Sequence, residues 1–475
     1  MKLFILLLSL SVTAQSADWP TYRANNRRSG TSEESLSPRL KMIWKHQAGV
    51  PQPAWTAPAK WDAYSANAGL QSMRNFDLCH YVSIANNQLF YGSSADNALH
   101  CIDLKNGKTE WTFFSNGAVR LPPSISDNKA YFGSDDGNAY CVDTESGKEV
   151  WSTSGAPTKN YFMSNGKLIS THPVRTGVTL VGDKAIFGAS ILPWEDSYLV
   201  GVSQKDGSDD GGFRITTKKQ TLQGAILHGS GSLIVTQGRQ ASLKFDATTG
   251  KALGSIGSAG GISCLLTDDD QFISGPQNQR SRDEQMRLIN QKGDHIATFG
   301  NANRVAIYKN MAYIHSNGEI KSLDRVAHSE PRERQFQLAK ERKTLEKQLK
   351  SQKNKNAALE KKIAEGGEDV PAAEIVSLED LVKEIKTNKE SSKFLEKEAE
   401  AAWTWAIKAN SPTDMIVAGD HLIVGFAGKV EMFERRSGKS VWKAPIDGVA
   451  YGLAVSNGVL IVSTNKGEII AFAKK

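Results

Sequence analysis

The chain has 475 residues, 39% of them hydrophobic, and carries 58 Lys and Arg against 51 Asp and Glu for a net charge of +7. That suffices for large buried cores, but no basic stripe alternates with aromatics, so no nucleic-acid partner is expected. The four cysteines, Cys79, Cys101, Cys141 and Cys264, form no CxxC, no haem-attachment run and no adjacent pair, and so offer no disulfide framework.

Residues 1–17 read as a signal peptide: Lys2 precedes an apolar run ending at Val12, with small residues at Thr13, Ala14, Ser16 and Ala17 for cleavage. The run is too short for a membrane span and no later one replaces it, so a soluble exported protein, periplasmic or extracellular, is expected. From Asp18 a polar stretch leads to residues 41–49, which have strand character but no strands before them. Past residue 80 a unit recurs about every forty residues. It reads Asp-Leu-Lys-Asn-Gly-Lys-Thr-Glu-Trp at 103–111, Asp-Thr-Glu-Ser-Gly-Lys-Glu-Val-Trp at 143–151 and Glu-Arg-Arg-Ser-Gly-Lys-Ser-Val-Trp at 434–442, with weaker copies at 203–207 and 246–251. Each copy is a hairpin: an apolar strand, a polar turn whose Gly takes positive φ, then a strand carrying Trp. Two further short strands precede most copies, so the period describes one propeller blade.

The predicted fold is an all-β, eight-bladed β-propeller. Its blades fall near 80–113, 122–153, 171–214, 222–256, 260–300, 302–325 with 401–409, 412–446, and 449–475 with 41–49. Seven blades are the alternative, because the turn at 291–294 is irregular. The strand at 41–49 supplies the fourth strand that the C-terminal blade lacks, pairing both exposed edges. The repeated Trp111, Trp151 and Trp442, with Trp44 and Trp405 at matching places, are expected to pack between blades.

Loops between second and third strands, and between successive blades, meet at one end of the channel. They supply Asp96, Asn97, Arg120, Asp135, Asp136, His172, Arg175, Trp194, Glu195 and Asp196. Arg120 and Arg175 stand at the same offset before 130–133 and 185–188, so they point the same way on adjacent blades. Paired guanidinium groups suit a small anionic ligand. The sequence holds no Ser/His/Asp set, P-loop or zinc spacing, and the acidic turn 135–137 lacks the spaced oxygens of a calcium loop; no catalytic or metal residue is assigned.

Residues 326–400 break the propeller pattern. Residues 335–364 and 377–402 repeat apolar positions at three- and four-residue steps, which predicts two coiled-coil helices. Their net charges, +6 over 330–363 and −6 over 364–400, follow from eleven Lys/Arg against five Glu and five Lys against eleven Asp/Glu. Opposite charge favours an antiparallel hairpin, inserted where the other blades have a tight turn and directed away from the channel mouth.

The repeated Asp-x-x-Ser/Thr-Gly-Lys-x-x-Trp pattern resembles that of pyrroloquinoline-quinone-like (PQQ-like) propellers. Residues 51–55, 72–77, 133–137 and 192–196 further resemble a group of secreted bacterial members, most without an assigned reaction. The resemblance implies either a cofactor-free scaffold or a quinoprotein alcohol dehydrogenase. The dehydrogenases of the family place adjacent cysteines against their quinone, and this chain has none. A non-catalytic binding or assembly scaffold is therefore expected, with no cofactor and with the coiled-coil arm for a protein partner or self-association. The alternative is a PQQ- and calcium-dependent oxidoreductase with a degenerate site.

Overall fold

A computed structural model describes residues 18–474, apart from 53, 55–80, 193, 238–239, 257–263, 276–284 and 365–377. The segment read as a signal peptide, the motif at 72–77 and Cys79 lie outside the described residues. Six four-stranded antiparallel sheets follow one another at 82–114, 124–154, 179–217, 227–256, 265–300 and 302–408, each with its strands in chain order. A two-stranded hairpin, Tyr161–Ser164 with Lys167–Ser170, lies between the second and third of them in the chain, and an eight-stranded sheet follows, in which the long strand Ser440–Ser456 pairs on one side with Ala427–Glu434 and on the other with Val459–Thr464. Strand Leu40–Gln47 pairs antiparallel with Glu468–Lys474, next to the C-terminus. The apolar cores lie between sheets. One cluster, for example, joins Phe90, Leu99 and Cys101 of the first sheet to Ala130, Phe132 and Val142 of the second. Cys101 and Cys141 are buried free thiols and Cys264 is partly buried.

A single joint recurs around the rim. In the second sheet Trp151 lies opposite Cys141, two residues before Asp143. The same register position holds Trp44, Trp111, Phe213, Gly254, Ala297, Trp405 and Trp442 in the other sheets. Each Trp donates its indole N–H to a carbonyl of the following sheet: Trp111 to Thr144 at 2.8 Å, Trp151 to Gln204 at 3.0 Å and Trp405 to Arg435 at 3.1 Å. The ring then lies on the turn glycine. Gly147 has φ +67°, and a Cβ there would stand 2.6 Å from the Trp111 ring, so backbone conformation and close approach both require glycine. The polar handle satisfies the buried end of a large apolar side chain, which is why Trp holds this place.

The joint between fifth and sixth sheets is inverted. Ala297 takes the Trp position, and His328, four residues after Asp324, takes the place that Gly147 holds after Asp143. His328 is 2% exposed, with its ring 5.6 Å from Phe299 and 6.4 Å from Trp403. The large side chain thus comes from the other side of the seam. Burial, then Arg332, push the His328 pKa down to about 4, so it is neutral at pH 7. The exchange should be reversible. Ala297→Trp alone should cost on the order of 1–3 kcal/mol through overpacking. His328→Gly should relieve most of that in the double variant, a coupling readable in urea melts; additive changes would show that the two residues do not share the seam.

Residues 18–36 run along the inner strands of all the sheets. Trp19 pairs with Ile84, Pro20 accepts from Ile125 N at 2.7 Å, and Asn26 Nδ2 donates to Leu180 O at 2.8 Å. Asn26 O accepts from His228 N and Arg27 O from Leu266 N, both at 2.9 Å. Arg23 reaches Val305 O at 3.4 Å and Asp414 Oδ1 at 2.7 Å, Thr31 and Ser32 pair in parallel with Val417 and Ala418, and Glu34 accepts from Gly458 N. Arg28 sits at the centre of this segment, 2% exposed, donating to Ile226 O, Tyr22 O, Asn25 O, Thr21 Oγ1 and Thr179 Oγ1. Its hydrogen bonds go to carbonyls and hydroxyls, and burial pulls its pKa down to about 10. The polar loop of the sequence is an axial plug.

Two helices interrupt the sixth sheet, α1 at Arg325–Ala364 and α2 at Glu379–Glu400. At about 1.5 Å per residue they span about 60 and 33 Å. Asp324 accepts from Val326 N at 3.0 Å and Ala327 N at 3.1 Å, as Asp103 accepts from Lys105 N and Asn106 N in a tight turn. The Asp that shapes the other turns here caps a helix. Helix α1 therefore begins ten residues earlier than the periodicity predicts and runs through Pro331, which gives up its bond to the carbonyl of Ala327 and crowds it. Arg332 pairs with Glu400 at 2.9 Å, Gln335 with Ser392 O at 2.7 Å, and Asn388 with Leu338 O at 3.0 Å, so the helices lie side by side in opposite directions. Asp324 N donates to Ala402 O at 3.0 Å, closing the strand ends beneath them.

Candidate functional site

Arg120 lies on the link from first to second sheet, Arg175 on the link from second to third, and Asp135 in the turn between them. Gly92 and Gly133 fix this geometry: a Cβ on either would stand 2.5 Å from the carbonyl of Val119 or Val174, the residue just before each arginine. The two guanidinium groups converge, but on a protein carboxylate. Arg120 Nε donates to Asp135 Oδ2 at 2.9 Å; Arg175 Nε and Nη2 donate to Oδ1 and Oδ2 at 2.7 and 2.9 Å. Asp135 is 1% exposed. Burial alone would raise its carboxyl pKa, but Arg175 and Arg120 overcome that and hold it below the ordinary value. Arg120 also donates to Gln52 O at 2.9 Å. Lys167, absent from the sequence reading, adds a third cation beside Asn97 Oδ1 at 3.4 Å and the Ser94 carbonyl; burial and Arg120 lower its pKa.

The other predicted residues divide between turns and surface. Asp136 accepts from Tyr140 Oη at 2.6 Å, Asn138 N at 2.9 Å and Asn116 N at 3.1 Å, which makes it a turn lock. Asp96 binds His100 Nε2 at 2.9 Å, and Asn97 holds a positive φ of 60°. Both ring nitrogens of His172 are engaged, one with Thr171 Oγ1 at 2.9 Å and one with Asp196 O at 3.0 Å. Trp194 is 70% exposed and Glu195 is exposed beside it. The structure thus brings together Arg120, Asp135 and Arg175, puts Asp196 against His172, and leaves Trp194 and Glu195 at the surface.

A second polar cluster lies on the axis. Asp414 is 1% exposed; Oδ1 binds Arg23 and Met415 N, and Oδ2 has no hydrogen-bond partner among the described residues. Burial raises its pKa, and that of Tyr22 to about 12. The Tyr22 and Tyr81 rings meet edge to face at 4.7 Å. The only sign of this cluster in the sequence is the run Tyr-Arg-Ala-Asn-Asn-Arg-Arg at 22–28.

A quinone tricarboxylate would need cations with donors directed at the ligand, and a metal would need gathered oxygen or nitrogen ligands. Asp135 already occupies the donors that Arg120 and Arg175 turn towards each other. Among the described residues no three His, Cys, Asp or Glu side chains gather as a metal set. This cluster does not fit the cofactor.

A family model described as outer membrane protein assembly factor BamB matches residues 43–273. No curated protein sequence matches the chain. Among solved structures, BamB from Moraxella catarrhalis aligns at 11% identity and TM-score 0.50, over 91% of this chain and 99% of that one. The quinohemoprotein alcohol dehydrogenase of Comamonas testosteroni aligns at 10% identity and TM-score 0.57, over 96% and 80%. Sqt1 of Saccharomyces cerevisiae aligns at 12% identity and TM-score 0.50, over 83% and 95%. These likenesses carry the fold.

Proposed function

Because the chain is a β-propeller of PQQ-like repeats, we propose that it is an exported, non-catalytic scaffold whose helical arm is a protein-interaction surface. The eight-stranded sheet is read as two blades sharing Ser440–Ser456, for eight blades in all, and 326–400 as an antiparallel coiled-coil hairpin. The observation that carries the reading is the rooting of the arm. Arg325 N donates to Asn310 O at 2.7 Å, as Leu104 N donates to Asn87 O and Thr144 N to Asn128 O at 2.9 Å in the tight turns. The arm is thus added to a blade that keeps its ordinary turn contacts, and a long helical pair set on a rigid rim suits gripping better than chemistry. Replacing 326–400 by Asp-Ala-Thr-Gly should leave a folded, closed propeller, with its melting temperature lowered by the loss of His328 from the seam. It should also abolish a discrete cross-linked adduct that the intact chain forms in its native host. A propeller that unfolds, or an adduct that persists, would overturn the role of the arm.

The alternative, a quinoprotein-type oxidoreductase, draws on the alignment over nearly the whole chain with a quinohemoprotein dehydrogenase. Purified protein mixed with the quinone and calcium should retain no quinone absorbance after gel filtration. Retention would favour the oxidoreductase. The mouth around Arg120, Arg175 and Lys167 remains the proposed place for a small anion.

A further inference from the structure

The strand that closes the ring, Leu40–Gln47, ends beside a cavity of about 30 Å³ whose wall includes Ala48, Gly49, Ser94, Gly467 and Glu468. A water needs about 10–15 Å³ of such space, so the cavity admits one small ion with one water beside it. Glu468 is 7% exposed. Its Oε1 binds Lys45 Nζ at 2.7 Å, and its Oε2 is buried with no hydrogen-bond partner among the described residues. Gly467 holds φ +78°, and a Cβ there would stand 2.6 Å from Ala48 O and 2.7 Å from Gly49 O. Two main-chain oxygens thus converge on a point that only a glycine leaves open. Ser94 Oγ accepts from Gln52 N at 2.7 Å and keeps a second lone pair.

We infer that this cavity binds one hard monovalent cation, sodium or potassium, which ties the end of the closing strand to the turn before Glu468–Lys474. Three features select that ligand. The wall offers carboxylate, carbonyl and hydroxyl oxygens and no His, Cys or Met, the set that suits a hard cation. Glu468 Oε2, Ala48 O and Gly49 O are three acceptors; a water brings only two protons to them, whereas a cation is attracted to all three. Glu468 is the only Asp or Glu in the wall and Lys45 already shares it, so a divalent ion would leave positive charge uncompensated in a partly buried place. A site of one carboxylate and main-chain oxygens also differs from a metal set of three acidic or nitrogen side chains. The inference stands apart from the scaffold reading and gives the ring closure a ligand of its own.

The test uses the full chain in NaCl, KCl or choline chloride at equal ionic strength, so that surface charge is screened alike. The sodium NMR resonance should broaden when the protein is added and sharpen again with KCl but not with choline chloride. The melting temperature should rise by at least two degrees from choline chloride to NaCl or KCl, because an ion that binds only the folded chain stabilises it. Glu468→Gln should weaken sodium binding at least tenfold and erase the difference between salts. Lys45→Met carries the same test with the opposite sign, whether or not Glu468→Gln folds. With the ammonium gone, sodium should bind several-fold tighter, and this variant should melt below the wild type in choline chloride yet recover in NaCl. A resonance that stays sharp, with equal melting in the three salts, would mean that the cavity holds water only and would overturn the inference. Sodium binding no tighter in Lys45→Met than in the wild type would overturn it too, and displacement of sodium by millimolar CaCl2 would overturn the assignment to a monovalent ion.

Discussion

Deleting residues 18–49 should leave a chain without a cooperative thermal transition above about 37 °C. The deletion removes three things together. Strand Leu40–Gln47 is the outer partner of Glu468–Lys474 and brings Trp44, 8% exposed, onto Leu104 O at 2.8 Å. Truncating one such buried Trp costs about 3–5 kcal/mol. Trp19, 1% exposed, leaves the inner edge of the first sheet. Loss of Arg28 and its neighbours then takes away donors to inner-strand carbonyls, at about 1–3 kcal/mol for each group left buried and unpaired. Against a typical total of about 5–15 kcal/mol, the sum exceeds the stability of the fold. Separate deletions of 18–36 and 38–49 divide the effect between plug and closing strand. Calorimetry that finds the full deletion melting within a few degrees of the intact chain would refute both roles.

The repeat was legible because its chemistry is local. Asp103, Gly107 and Trp111 lie within nine residues, and each does a job that only its residue type does well: accepting turn N–H groups, taking positive φ, and filling a seam with a donor at its tip. The fifth sheet was legible but irregular for the same reason. Its turn is one residue shorter, with Asn290 accepting from Lys292 N and Asp294 N, and its Trp position holds Ala297, a change that makes sense only beside His328. Long-range pairings were not legible. The offset of Arg120 and Arg175 gave their common direction, but that Asp135 stands between them depends on how adjacent sheets are spaced. The plug carried no signal because 18–36 works through main-chain groups and three arginines, with no period for a pattern to show. Helix α1 was shortened in the sequence reading because its apolar period shows only from residue 335, whereas Asp324 had already started the helix.

The Asp135 cluster sets the second large effect. Asp135→Ala leaves the side chains of Arg120 and Arg175, 8% and 9% exposed, facing each other without their shared carboxylate. Removing one partner of a buried ion pair costs about 3–5 kcal/mol, and here one carboxylate serves two cations. Changing both arginines to Ala would be no milder, because Asp135 would remain buried and alone; the fold does not stay intact around that double change. The triple Ala variant should recover part of the loss, since replacing a whole buried polar set is milder than breaking it. The pH dependence has a fixed sign. Because the folded carboxyl titrates below its unfolded value near 3.8, its contribution is fully present above that value and is lost as pH falls through the folded pKa. Urea melts from pH 7 to pH 3 should therefore show a steeper acid loss for the wild type than for Asp135→Asn, which has no carboxyl to protonate. The same variant should free the guanidinium donors and bind sulfate or a dicarboxylate more tightly than the wild type. Equal acid slopes and unchanged anion affinity would reduce the cluster to a turn-to-link contact of no consequence for stability or binding.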